Sequence, residues 1–191
     1  PPLRVLLAVG NPERERRLAD NTPRLEKPIS SELGNVSPVA VVPYTYSDEE
    51  LWFQARNVAS MVVNNASFNC NAAKMLITSK QWAQRETFLR LIGRALSQAP
   101  TRKAYYPGAS ERYNTLTGDR GRLERYGEAT ADKLPWTLIR DVDATRRDEP
   151  LFRVEPFCGI LSETCVGSAD PVEFLAAATR FMNADLWGTL N

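Results

Sequence analysis

The chain contains no histidine. That absence removes Ser-His-Asp and Cys-His catalysis and the H-E-x-x-H zinc sites. Any base acting here must be a carboxylate, a lysine or a tyrosine. Cysteine is scarce: Cys70, Cys158 and Cys165 make an odd count, which argues against a disulfide framework and for a reducing, cytoplasmic compartment. Three scattered cysteines do not make a zinc site, and no metal is expected. Neither sign of charge dominates, with 24 Lys and Arg against 23 Asp and Glu for a net +1, so there is no electrostatic case for nucleic acid or an acidic membrane. No apolar run approaches the ~20 residues of a membrane helix. No signal-peptide pattern opens the chain. Two nucleotide signatures are missing as well, G-x-G-x-x-G after a strand and G-x-x-x-x-G-K-[ST].

What is present is an ordinary globular composition, 43% apolar and 25% charged over 191 residues, enough for one domain spanning 1–191. The chain opens on Pro1-Pro2 and closes on LWGTLN, and reads as a piece of a longer polypeptide. Two sequons, Asn35-Val36-Ser37 and Asn65-Ala66-Ser67, read as chance without a secretion signal.

Apolar patterning predicts a strand over Leu3–Val9, then a short helix in NPERERRLADN and a breaker-rich connection from Pro23 to Pro28. Val39–Val42 reads as a strand ended by Pro43. Ser47-Asp48-Glu49-Glu50 has the form of a capping box, and the apolar residues at 51, 52, 55, 58, 59 and 62 define one helical face running to about Asn64. KMLIT is the next strand, followed by a helix carrying Trp82, Phe88, Leu89, Ile92 and Leu96 and stopped by Pro100. Residues 101–135 read as a long irregular excursion with some helix near Ser110–Thr115. WTLIRDV and GILSETCV read as later strands, and Asp170 caps a last helix with Pro171 in its first turn. Asp141-Val142-Asp143, flanked by arginines, reads as a solvated loop. The alternation of strand and helix predicts an α/β fold, an open and mainly parallel sheet with helices on both faces.

Three short segments carry the chemistry. Cys70 ends Asn65-Ala66-Ser67-Phe68-Asn69-Cys70 at the seam between a helix and an apolar strand. A lone cysteine usually packs as a small hydrophobe; at such a seam it can instead face a cleft, where a thiolate needs a polar partner. Glu32 is the single acid between Ile29 and Val42, and by itself reads as a solvent-facing residue at a strand end. Glu155 and Phe157 precede the strand in EPFCGILSE.

Together, and in this order, the segments resemble the aldehyde dehydrogenase superfamily over roughly residues 23 to 191. The family carries E-L-G-G-x-x-P, N-x-G-Q-x-C and E-x-F-G-P; here these stand as Glu32-Leu33-Gly34-Asn35-Val36-Ser37-Pro38, Asn65 to Cys70, and Glu155-Pro156-Phe157-Cys158-Gly159. Asn35, Ser67-Phe68 and Cys158-Gly159 depart from the pattern, which marks a divergent member. The resemblance implies that Cys70 attacks an aldehyde carbonyl, that hydride leaves to NAD or NADP, and that Glu32 activates the water that hydrolyses the thioester. It implies further that Glu155 holds the nicotinamide ribose with Phe157 packed near that ring, that the cofactor is bound mainly by a domain outside this chain, and that the full-length enzyme is a homo-oligomer. Two alternatives stay open: a non-catalytic α/β module with decayed motifs, and a CoA-acylating relative, against which Glu32 argues.

Overall fold

The structure is a computed structural model that describes residues 34–118 and 120–188. The strand expected at Leu3–Val9, the helix after it, the Pro23–Pro28 connection and Glu32 lie outside the described residues.

Among the described residues five strands form one sheet: β1 (Pro38–Ala40), β2 (Met75–Thr78), β3 (Leu123–Tyr126), β4 (Trp136–Val142) and β5 (Ile160–Cys165). Their spatial order is β1-β2-β5-β4-β3, with every pairing parallel except β3 to β4. All four residues of β2, and Ile160 to Thr164 of β5, are buried. Since alternate residues of a strand face opposite ways, both faces of the sheet centre are covered, as a parallel sheet requires.

The helices start and stop where local chemistry dictates. In α1 (Asp48–Val63) the Ser47 hydroxyl accepts from Glu50 N at 3.3 Å and the Glu50 carboxylate accepts from Ser47 N at 2.8 Å, closing the capping box. α1 buries Leu51, Ala55, Val58, Ala59 and Val62. α2 (Arg85–Gln98) buries Phe88, Leu89, Ile92 and Leu96 and ends at an extended Ala99, the conformation that the following Pro100 favours. After the short α3 (Ala109–Thr117) and α4 (Pro150–Arg153), α5 (Pro171–Ala184) begins where the Asp170 carboxylate accepts from Val172 N and Glu173 N. Among the described residues no helix is long and apolar enough to cross a membrane.

Two sequence expectations change. The excursion over 101–135 contains, besides α3, the antiparallel edge strand β3. Its LERY places charges on a half-buried edge, which weakens the apolar alternation that would have marked it. Asp141 is not in a solvated loop: it lies within β4 at a register shift, with φ of +55° and its carboxylate paired to Arg85 and Arg122.

The topology positions the site. Pro38 pairs with Met75 and Met75 with Ser162, so β1 and β2 start level, and the parallel β5 starts two residues earlier at the same end of the sheet. The residues leading into those three strands therefore meet at one end of the sheet, and they belong to the three segments singled out in the sequence.

Candidate active site

Cys70 is a free, exposed thiol on the link from α1 to β2. The link leaves α1 through Asn65, Ala66 and Ser67, all with positive φ (50°, 55° and 67°). Non-glycine residues pay for that conformation, on the order of 1–2 kcal/mol each, and such strain gathers at functional segments. Ser67 occupies the position where the resembled motif has glycine, and its buried hydroxyl has no hydrogen-bond partner among the described residues. The Asn65 side chain bridges the strained stretch, donating to Asn69 Oδ1 at 3.0 Å and to Phe68 O at 3.3 Å, while Tyr105 Oη donates to its Oδ1 at 3.1 Å.

Ala72 N then donates to Asn69 O at 3.1 Å, closing a turn with Cys70 and Asn71 at its corners. Side chains hold this turn from below. Ser37 Oγ donates to Cys70 O at 2.6 Å and itself accepts from Asn35 Nδ2 at 2.6 Å. Lys74 Nζ donates to Asn69 O at 2.8 Å and to Ala72 O at 2.9 Å.

Glu155 reaches the same place. Its Oε1 lies 3.8 Å from Lys74 Nζ, and its Oε2 accepts from Asn35 N at 3.3 Å. Gly34, with φ of +145°, is required beside it: a Cβ there would stand 2.5 Å from the Trp187 ring and 3.1 Å from Glu155 Oε2. Phe157, at φ of +42°, packs edge-on against Tyr106 at 4.6 Å between ring centroids and tilted against Phe68 at 5.8 Å, and Phe68 meets Tyr105 at 4.7 Å. An aromatic cluster thus stands beside the segment that delivers Cys70.

Burial sets the electrostatics. Lys74 is 1% exposed, and loss of hydration draws its ammonium down to about 8, with Glu155, Cys158 and Cys70 pulling the other way. Burial pushes the Cys158 thiol up to about 12, which makes it an inert packing group.

Of the residues singled out in the sequence, Cys70, Glu155 and Phe157 thus lie on the segments brought together here, and Glu32 lies outside the described residues. Sequence reasoning missed Lys74, Ser37 and Asn35. For Lys74 a signal existed, a cation set between Ala73 and Met75 at the mouth of an apolar strand. Ser37 and Asn35 carried none beyond Asn35's departure from the motif.

At the opposite strand ends, Arg85 binds Glu163 through two nitrogens at 2.7 and 2.9 Å and Asp141 at 2.6 Å, with Thr78 Oγ1 donating to Glu163 at 2.5 Å. Asp141, Glu163 and Cys165 bring potential metal donors within 4.8 Å of one another, but the Arg85 guanidinium is already the counter-ion at their centre. This cluster is structural.

No family profile and no curated protein matches the chain. Solved structures do. A NAD-dependent benzaldehyde dehydrogenase from Corynebacterium glutamicum is 17% identical with a TM-score of 0.64, over 92% of this chain and 38% of that one. The gamma-glutamyl-gamma-aminobutyraldehyde dehydrogenase of Burkholderia cenocepacia is 20% identical with a TM-score of 0.61, over 80% and 32%. The NADP-dependent glyceraldehyde-3-phosphate dehydrogenase of Bacillus halodurans, solved with NADP, is 19% identical with a TM-score of 0.60, over 76% and 31%. The chain has the fold of the aldehyde dehydrogenase catalytic domain and spans about a third of the length of these structures.

Proposed function

We propose that the chain is the greater part of the catalytic domain of a longer enzyme that oxidises an aldehyde to a carboxylic acid through a thioester on Cys70. The observation that carries the reading is the convergence of three segments, distant in sequence, on one turn: Ser37 and Asn35 from the first, Cys70 at the corner, and Glu155 joined to the turn by Lys74. The shared fold supports it.

In this reading the Cys70 thiolate attacks the aldehyde carbon, and the carbonyl π pair moves to oxygen. The Cys70 backbone N–H holds that oxyanion; among the described residues it donates to no other acceptor. NAD or NADP, bound mainly by a domain outside this chain, would supply the hydride acceptor that turns the Cys70 adduct into a thioester. Glu32 takes a proton from water, the hydroxide displaces sulfur, and the acid departs with the thiol restored.

The residues here fit the nicotinamide end of such a cofactor. Glu155 offers carboxylate oxygens with 13% of its side chain exposed, suited to accept from ribose hydroxyls, and Phe157 adds an aromatic surface two residues on. The resemblance further points to a homo-oligomeric, cytoplasmic full-length protein.

The test is NAD(P)H formation by the full-length protein across a panel of aldehydes, with Cys70→Ala beside it. Turnover that disappears in Cys70→Ala supports the reading. A full-length protein that turns over none of the panel, with Cys70 no faster than free cysteine toward an alkylating reagent, favours the non-catalytic module.

A further inference from the structure

A lysine at the mouth of a buried strand keeps its charge against a desolvation cost, and such a group is normally found with its protons fully engaged. We propose that Lys74 is a positioning residue for the Cys70 nucleophile: its ammonium grips both ends of the turn that carries Cys70 and ties that turn to the Glu155 carboxylate. The inference rests on Cys70 being the nucleophile.

The turn has a single backbone hydrogen bond of its own, Ala72 N to Asn69 O, and its corner residues are exposed. One i to i+3 bond at the surface is a weak constraint. Lys74 Nζ supplies the rest, binding the carbonyls of the first and last residues at 2.8 and 2.9 Å, while Ser37 holds the Cys70 carbonyl between them. Three carbonyls of four consecutive residues are thereby drawn inward to side-chain donors.

The consequence falls on the N–H groups. In a trans peptide the carbonyl and the following N–H point in opposite directions. Holding Asn69 O inward therefore aims the Cys70 N–H outward, on the exposed side where the thiol stands. That N–H is the donor a developing oxyanion needs, and a preorganised donor has no reorganisation to undergo when charge forms. The remaining side of the ammonium faces Glu155 Oε1 at 3.8 Å, so nucleophile turn and cofactor-side carboxylate share one cation. Although burial draws Lys74 down to about 8, it remains mostly charged at neutral pH.

The experiment uses the full-length protein with Lys74→Met, which keeps the stem and removes the donors, and Lys74→Gln, which is shorter and restores a neutral donor. Both remove the buried ammonium together with its ion pair to Glu155, so the fold is checked in each variant. Steady-state kinetics are read beside mass-spectrometric labelling of Cys158, whose burial reports an intact fold. The expected result is a fall in kcat of about tenfold or more in Lys74→Met, a smaller fall in Lys74→Gln, an aldehyde KM within about twofold, and Cys158 still protected, because a small misplacement of reacting groups costs rate more than binding. A kcat within about twofold of wild type in Lys74→Met would overturn the proposal. So would loss of Cys158 protection in step with kcat in both variants, which would make Lys74 merely structural. Undiminished turnover in Cys70→Ser would instead remove the nucleophile, and the positioning role with it.

Discussion

The Ser37 hydroxyl donates to the Cys70 carbonyl at 2.6 Å, joining residues 33 apart in sequence across the start of the sheet. The same oxygen accepts from Asn35 Nδ2, so one buried side chain couples the strand that opens the described fold to the turn that presents the thiol. Ser37→Ala should leave the Asn35 amide without this acceptor and free the Cys70 carbonyl. The expected loss is about 1–2 kcal/mol in urea unfolding, together with a fall in turnover of the full-length protein. Unchanged kinetics would mean that this hydrogen bond is packing and nothing more.

Ser67→Gly should stabilise the protein. Ser67 has φ of +67°, is fully buried, and its hydroxyl has no partner among the described residues. Glycine relieves the left-handed strain and the orphaned hydroxyl, at the cost of a looser unfolded chain; the balance favours the variant by about 1 kcal/mol. A lower urea midpoint than wild type would show that the segment is not strained.

Lys74 sets a pH dependence whose sign follows from its lowered value. The folded chain releases this proton near 8 and the unfolded chain near the ordinary 10.5. Between those values the unfolded state holds more protons, so this group's contribution to stability rises with pH. Cys158 and Cys165, raised to about 12 and about 11 from the ordinary 9, act oppositely above about pH 9. The comparison with Lys74→Met cancels them: from about pH 7 to about pH 9 wild type should gain about 1.4 kcal/mol on the variant. A pH-independent difference would mean that Lys74 titrates normally.

Arg85→Ala should be severe. Glu163 is fully buried and Asp141 half-buried, and both rely on this guanidinium. Stranding them should cost roughly 3–5 kcal/mol, read by denaturant unfolding. In Arg85→Met/Glu163→Met the two losses should be well short of additive, because neither charge is then left alone. A loss below about 1 kcal/mol in Arg85→Ala would show water reaching the cluster.

The helices were legible because their signals are local. Ser47 with Glu50 and Asp170 with Pro171 act within a single turn, and the structure has helices starting at both places. β2 and β5 were legible as apolar runs, for a strand buried on both faces has no alternation to hide. β3 was not, since its identity comes from a partner strand rather than from its own pattern. Asp141 was misread because flanking arginines suggest solvent, whereas one of its counter-ions is Arg85, 56 residues away. The same limit hid Lys74: its carbonyl partners are near in sequence, but its burial and its contact with Glu155 exist only once β1, β2 and β5 lie side by side.

The central claim is that Cys70 carries the substrate. The most direct measurement is rapid quenching of the full-length protein with an aldehyde substrate and NAD(P), followed by peptide mass spectrometry. The account predicts an acyl adduct on the peptide bearing Cys70 that forms before product, decays with water attack and is absent in Cys70→Ser. Product formation with no adduct on Cys70 at any time, or an adduct on Cys158 or Cys165 instead, would contradict it.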